Sequence, residues 1–176
     1  RSQRSRVTED EQNFADSIPN QARLTILNTY KASHENSDFD LKKFVHEHCT
    51  DFTDAAGDHS DARLTPYTHI ENLWPVLTRH TPHNSGSLLA LPHPYVIPGG
   101  RYQEQFYWDS YFIMLGLTSS KRYDLIDAMM KNYTYMIRKI GYIPSANRTY
   151  LLSRSQPPYF SHMVDLLSAR QGKPGA

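Results

Sequence analysis

The chain has 176 residues, with 19 Lys and Arg against 18 Asp and Glu, a net charge of +1, and the charges interspersed along its length. That is long enough for one domain, and nothing in the composition indicates a disordered or fibrous protein. The single cysteine, Cys49, excludes an internal disulfide, and no apolar run reaches the ~18 residues of a membrane-spanning helix.

Residues 1–20 read as an N-terminal tail. Its basic start, Arg1 to Arg6, is a solvated charge run rather than a nucleic-acid arm, because no basic helix or basic-aromatic interleaving follows it. Neither a nucleic acid nor a membrane is expected as a partner. The first residue is Arg, and no signal-peptide core precedes it, so a processed protein or an excised piece is expected.

Residues 21–80 read as a helical arm. Leu24, Leu27 and Tyr30 predict one stripe of a first helix. Asp38 or Asp40 can cap a short second helix that carries Leu41, Phe44 and Val45 on one face. Thr65 and Pro66 read as N-cap and first helical residue of a third, in which Ile70, Leu73, Trp74 and Leu77 recur at helical spacing. Pro75 predicts a kink or an early end there.

Residues 81–100 hold Pro82, Pro92, Pro94 and Pro98 with Gly86, Gly99 and Gly100, an irregular, extended connection of a length that compact domains reserve for function or for wrapping neighbouring elements. From Asp109 to Leu117 the sequence is apolar on nearly all sides, which predicts a helix packed from both faces. Ile126, Met129, Met130, Tyr133, Ile137 and Ile140 form the stripe of a longer helix, and Gly141 is its natural C-terminal cap. A last helix is predicted to begin at Pro157-Pro158 and to carry Phe160, Met163, Val164 and Leu167. No segment sustains the alternation of a strand. The fold class is all-α.

The most distinctive chemistry lies in Pro98-Gly99-Gly100-Arg101-Tyr102-Gln103-Glu104-Gln105-Phe106-Tyr107-Trp108-Asp109-Ser110-Tyr111. Two glycines give access to positive φ. Arg101 and Asp109 can each bond two neighbouring hydroxyls, and the apolar face of a pyranose can lie on Trp108. A turn followed by the buried, aromatic start of a helix explains the same residues. His46, His48 and Cys49 resemble metal ligands, but residues i and i+2 of a helix point apart, and no metal site is expected. Asn132-Tyr133-Thr134 and Asn147-Arg148-Thr149 match the short glycosylation pattern.

The order of that segment resembles the first signature of trehalases, inverting glycosidases that split α,α-trehalose into two glucose molecules. A second match runs from Ile143 through Asn147 and Arg148 to Arg154-Ser155-Gln156-Pro157-Pro158, and weaker ones lie at His69–Arg79 and Phe39–Val45. The resemblance spans about Asn13 to Leu167. It implies hydrolysis of trehalose as the function, no cofactor, and an (α/α)6 barrel of which residues 101–176 are the first helices.

It also implies substrate-binding roles for Arg101, Trp108, Asp109, Asn147, Arg154, Ser155 and Gln156, and catalytic roles for none of the residues present. The family's acid, an Asp, and its base, a Glu, stand in the middle and C-terminal parts of its chains. Glu104 and the tyrosines are therefore read as structural support. Arg154 is read as a fork aimed into the pocket. One departure is Pro144-Ser145-Ala146-Asn147-Arg148, where trehalases have Pro-Asn-Gly-Asn-Arg; losing the glycine is expected to alter or strain the turn.

A barrel of twelve helices at roughly 11–12 residues, with connections of about 4–6, needs on the order of 200 residues. The chain is thus expected to be the N-terminal third of a larger enzyme and to be inactive by itself. A non-catalytic sugar-binding module is the rival reading. An α-toroid glucosidase for another α-glucoside is a further alternative, and the Asn147–Gln156 segment argues against it. Trehalases occur in the cytoplasm and outside it; the sequence does not choose, with the cytoplasm slightly favoured.

Overall fold

A computed structural model of the chain describes residues 15–50 and 63–170; the basic Arg1–Arg6 run lies outside the described residues. Among the described residues the fold is all-α, with six α-helices, one 3-10 turn and four strands of two residues each. The chain divides into two compact units, one formed by the residues up to Thr53 with Ser85–Ser87, the other by Asp54–Asn84 with Leu88 onward.

In the first unit, β1 (Ile18–Pro19) pairs antiparallel with β2 (Cys49–Thr50) around α1 (Arg23–Ser33) and α2 (Leu41–His48). The Asp40 carboxylate caps α2, accepting from the amides of Lys42 at 2.9 Å and Lys43 at 3.2 Å. It satisfies donors that have no partner inside the helix. Tyr30, Phe39 and Phe44 meet with ring centroids 5.7 Å apart, and Val45 is buried. The inner stripe of α1 differs from the expected one. Leu24 is 72% exposed, while Ile26 joins Leu27 and Tyr30 facing Leu41, Phe44 and Val45. Arg23, Ile26, Leu27 and Tyr30, at i, i+3, i+4 and i+7, share that face, and Leu24 stands outside it.

The second unit begins with α3 (Pro66–Leu77), where Thr65 Oγ1 accepts from the Thr68 amide at 3.2 Å. The helix carries Pro75 inside it and ends two residues later, where Thr78 Oγ1 closes the end by donating to the Trp74 carbonyl at 2.6 Å. β3 (Thr78–Arg79) then pairs antiparallel with β4 (Tyr95–Val96). Tyr95, Val96 and Ile97 are completely buried, which gives the proline-rich connection an anchor in the core.

The core of this unit lies among α4 (Tyr107–Ser119), α5 (Tyr123–Ile140) and α6 (Phe160–Arg170). Met114 and Leu117 of α4 meet Ile126, Met129 and Met136 of α5 and Met163 of α6. Each fully buried side chain of this kind contributes roughly 1.5–3 kcal/mol. Two expectations are corrected here. α4 meets Trp74 at Gly116 as well as α5 and α6, but it is not enclosed: Trp108, Phe112 and Leu115, at i, i+4 and i+7, form an exposed stripe. α6 starts at Phe160 rather than at the prolines, because Pro158 forces the preceding Pro157 out of helical geometry.

Two helix ends use the same left-handed cap with different residues. At α5 it is Gly141, φ 95°, whose amide donates to the Ile137 carbonyl at 2.9 Å. At α4 it is Lys121, φ 56°, with Lys121 N bonded to Thr118 O at 3.1 Å and Arg122 N to Leu117 O at 2.8 Å. A left-handed non-glycine residue costs roughly 1–2 kcal/mol, and glycine's greater freedom in the unfolded chain offsets about half of that. Lys121→Gly is therefore expected to raise unfolding stability by up to ~1 kcal/mol, and Gly141→Ala to lower it by about 1 kcal/mol. A Cβ at 141 would touch nothing within 4 Å, so that loss measures backbone conformation alone. Urea unfolding midpoints check both; a lower midpoint for Lys121→Gly would show that the lysine side chain stabilises the fold more than its φ costs.

Candidate functional site

The glycine pair forms the turn for which the sequence supplies it. Gly99 has φ 118° and Gly100 φ 57°, and the Tyr102 amide returns to the Gly99 carbonyl at 3.2 Å. The three residues that follow Tyr102 then enter the core with their polar side chains. Gln103, Glu104 and Gln105 are all buried, and each finds a partner, as buried polar groups must.

Glu104, 0% exposed, forms an ion pair with Arg148, 2% exposed. Both ends of the Gln105 side chain bond α5, its amide nitrogen donating to Met129 O at 3.1 Å and its oxygen accepting from Asn132 Nδ2 at 3.0 Å. Asn132 also exchanges two bonds with the main chain of His93, at 2.9 and 3.0 Å. The Asn147 side chain accepts from the Gln105 amide at 2.8 Å and donates to the Leu89 carbonyl at 2.8 Å. A polar layer thus ties the segment after the glycine turn to α5, to the proline-rich connection and to the 143–148 segment.

The same layer fixes the start of α4. Its N-cap, Phe106, makes no side-chain cap, yet the first amides have partners from distant sequence. Tyr107 N donates to Ser145 O at 2.9 Å, and Trp108 N to Gln156 Oε1 at 3.1 Å. Tyr133 Oη stands 2.6 Å from Ser110 Oγ and 2.9 Å from Phe106 O; its burial pushes the hydroxyl well above the ordinary tyrosine range, so it stays protonated. Beside this helix start is an open pocket of about 260 Å³ lined by Pro98, Tyr102, Phe106, Trp108, Asp109 and Gln156. An aromatic face, a carboxylate and an amide converge there. Asp109 sits in the first turn of α4.

Of the residues singled out in the sequence, the structure brings Trp108, Asp109 and Gln156 onto this one wall. Trp108 is 40% exposed, with its ring edge-on to Phe112 at 6.0 Å. Arg101 is exposed next to the pocket-lining Tyr102, donating to its hydroxyl at 3.3 Å with the guanidinium 5.2 Å from the ring centre. Arg154 is exposed and is not among the lining residues; its carbonyl accepts from Ser145 N at 2.9 Å and Ser145 Oγ at 3.2 Å. The Ser155 hydroxyl donates to Ile143 O at 2.7 Å and so closes the loop that presents Gln156.

Asn147 departs from its expected role. It is 1% exposed, and both ends of its amide are bonded to main-chain groups away from the pocket wall. It is a clamp on backbone, not a contact surface. The strain expected at Ser145-Ala146 is also absent: Lys121 is the only described non-glycine residue with positive φ, so the turn runs where alanine is at ease. Neither glycosylation pattern is available in the folded chain, since Asn132 and Asn147 are both buried.

Arg148, Tyr102 and Phe106 were not foreseen. Opposite charges 44 positions apart leave no local pattern, although a lone Glu within an aromatic run was a signal that it needed a buried partner. Removing that partner, as in Arg148→Met, is expected to cost about 3–5 kcal/mol, because Glu104 is left as an uncompensated buried charge. Asn147→Ala is expected to cost about 1–3 kcal/mol through the orphaned Gln105 amide and Leu89 carbonyl. Denaturant unfolding of both variants checks the order; equal stability to the parent would remove the polar layer from its structural role.

The sequence model described as Trehalase matches residues 5–173 of the chain. Among curated proteins, the periplasmic trehalase of Xanthomonas axonopodis pv. citri is 45% identical over 174 residues, covering 97% of this chain and 30% of that protein. The periplasmic trehalases of Salmonella newport, at 46% identity, and Escherichia coli O139:H28, at 44%, match with the same coverage. The chain thus spans about 30% of the length of the curated relatives it matches. Among solved structures, the neutral trehalase of Saccharomyces cerevisiae matches with 36% identity and a TM-score of 0.45, over 48% of this chain and 18% of that one.

Proposed function

The chain belongs to the trehalase family, and we propose that it supplies the sugar-binding wall for inverting hydrolysis of α,α-trehalose to two glucose molecules. The observation that carries this reading is the convergence of Trp108, Asp109 and Gln156 on one pocket beside the glycine turn. An indole face takes the apolar side of a pyranose; a carboxylate accepts from two adjacent hydroxyls; an amide whose oxygen is held by Trp108 N keeps its NH2 free to donate. Arg101 adds a cationic fork at the rim. Asn147 serves the same wall by holding the backbone of Gln105, one residue ahead of Phe106.

Inverting hydrolysis needs a carboxylic acid on one side of the glycosidic bond and a carboxylate with its water on the other, roughly 6.5–9.5 Å away. Glu104 can fill neither role, because it is sealed from solvent and paired with Arg148. Asp109 is the substrate ligand in this reading, and the acid and base belong to the family's later segments. The helices α4, α5 and α6 are read as the first of an (α/α)6 barrel, and the exposed stripe of Trp108, Phe112 and Leu115 fits a helix with further barrel elements to meet.

In the full-length protein, trehalose hydrolysis should release α- and β-glucose in equal amounts, the outcome of inversion at one anomeric centre. Asp109→Asn or Arg101→Ala removes charge-assisted bonds worth roughly 1.5–3 kcal/mol each, about one to two decades in kcat/KM. Unchanged kinetics in correctly folded variants would return both residues to the surface.

Arg154 is proposed to act on charge rather than on substrate alone, by holding a catalytic carboxylate in its ionised form. Without the cation that carboxylate loses stabilisation and its pKa rises. Arg154→Ala is therefore expected to lower kcat and to move the acidic limb of the pH–rate profile upward. A rise in KM with an unmoved profile would leave Arg154 as a ligand for substrate hydroxyls only.

A further inference from the structure

The glycine turn that carries Arg101 is gripped from behind by two side chains that the sugar-binding reading does not use. Arg79, the last residue of β3, is fixed at the end of α3: its Nη1 donates to Val76 O at 2.6 Å and to Thr78 O at 3.1 Å. Its Nε donates to Gln103 Oε1 at 2.7 Å. The other end of the Gln103 amide, Nε2, donates to Gly100 O at 2.8 Å. Gln103 is itself buried, and its own carbonyl accepts from Tyr95 Oη at 3.0 Å.

The chemistry of these partners leaves the amide one orientation. A guanidinium can only donate, so the amide oxygen must face Arg79; a carbonyl can only accept, so the NH2 must face Gly100. Arg79 therefore sets the direction of the Gln103 amide, and the amide sets the Gly100 carbonyl. Glycine has more backbone freedom than any other residue, and two in succession leave a turn able to take several shapes. The bond to Gly100 O selects one of them. On either side of that peptide stand Pro98 and Tyr102, which line the pocket, and Arg101, whose guanidinium donates to the Tyr102 hydroxyl.

We propose that Gln103, oriented by Arg79, is a positioning residue for sugar binding: it fixes the Gly99-Gly100 turn and thereby aims Arg101 at the substrate. The inference rests on the sugar-binding reading of the pocket. The polar layer of Glu104, Gln105 and Asn147 holds the start of α4 and meets this relay only through Tyr95, which bonds the Gln103 main chain and not its amide side chain.

Gln103→Glu separates the two ends of the relay. The oxygen facing Arg79 stays and becomes charge-assisted, while the group facing Gly100 O changes from donor to acceptor. The variant should fold, and in the full-length protein its KM for α,α-trehalose should rise about three- to tenfold, with kcat within about twofold, the size of one lost hydrogen bond. In an Arg101→Ala background the same change should add nothing, because the group being aimed is gone. A KM unmoved by Gln103→Glu where Arg101→Ala raises it overturns the relay and leaves the sugar-binding reading standing. Equal effects of Gln103→Glu in both backgrounds also overturn it, as a merely structural role would act without regard to Arg101. If Arg101→Ala itself changes nothing, the sugar-binding reading fails and the relay with it. Should Gln103→Glu not fold, Gln103→Asn replaces it: its amide is one methylene too short to reach Arg79 and Gly100 together, and the same kinetic outcomes decide.

Discussion

The buried ion pair between Glu104 and Arg148 is the constraint around which the second unit is arranged. Taking a carboxylate and a guanidinium out of water costs several kcal/mol per ion, and only mutual contact makes the burial tolerable. The pair can therefore form in one arrangement of the chain, with the segment after the glycine turn laid against the segment that follows α5. Hydrophobic burial among Met114, Leu117, Ile126, Met129 and Met163 supplies most of the stabilisation, but apolar contacts have little directional preference. The register between residues 103–107 and 143–148 is set by polar groups: Glu104 with Arg148, Gln105 N with Asn147, and Tyr107 N with Ser145 O.

That register explains why a pocket forms at the start of α4. A helix begins with amides that have no partner within it, and Phe106 offers no side chain to meet them. Ser145 O and Gln156 Oε1 do so instead, from segments about 40 and 50 residues further on. Gln156 can reach Trp108 N only because the ion pair and the Asn147 clamp hold the 143–156 segment against the helix. The amide that caps α4 is consequently also part of the pocket wall, and Trp108 and Asp109 emerge from the first turn directly beside it. The geometry that stabilises the helix is the geometry that assembles the site.

Local patterns made much of this legible. Asp40 and Thr65 cap the helices that their positions announce, α3 ends within a turn of Pro75, and Gly141 ends α5, because each of these effects acts within one turn of backbone. The glycine turn was legible for the same reason, as positive φ at Gly99 and Gly100 is a property of the residue type. What escaped is what depends on partners far along the chain. The roles of Asn147 and Arg148 are decided by Leu89, Gln105 and Glu104, and no spacing rule connects these positions. Asn147 in particular carries the same chemistry whether it faces a sugar or a main-chain amide; only the fold distinguishes the two. Trp108, Asp109 and Gln156 could be named but not assembled, since their convergence requires the ion pair.

The two sides of the pocket are held by different bonds, which meet at Tyr95, whose hydroxyl donates to the Gln103 carbonyl and lies beside Asn147. Trp108, Asp109 and Gln156 depend on the layer built around Glu104 and Arg148, a set of bonds buried deep enough to escape competition from water. Pro98, Tyr102 and Arg101 flank the turn, where the Gln103 amide bonds Gly100 O and the Tyr102 ring packs edge-on to Phe106. In a low-dielectric interior each bond of the first system is supported by its neighbours, so the helix-side wall behaves as one rigid body. On the turn side two glycines bring backbone freedom, which the bond from Gln103 to Gly100 O restrains. In the sugar-binding reading, the first system sets the aromatic and carboxylate platform, and the Gln103 bond sets the aim of the Arg101 fork.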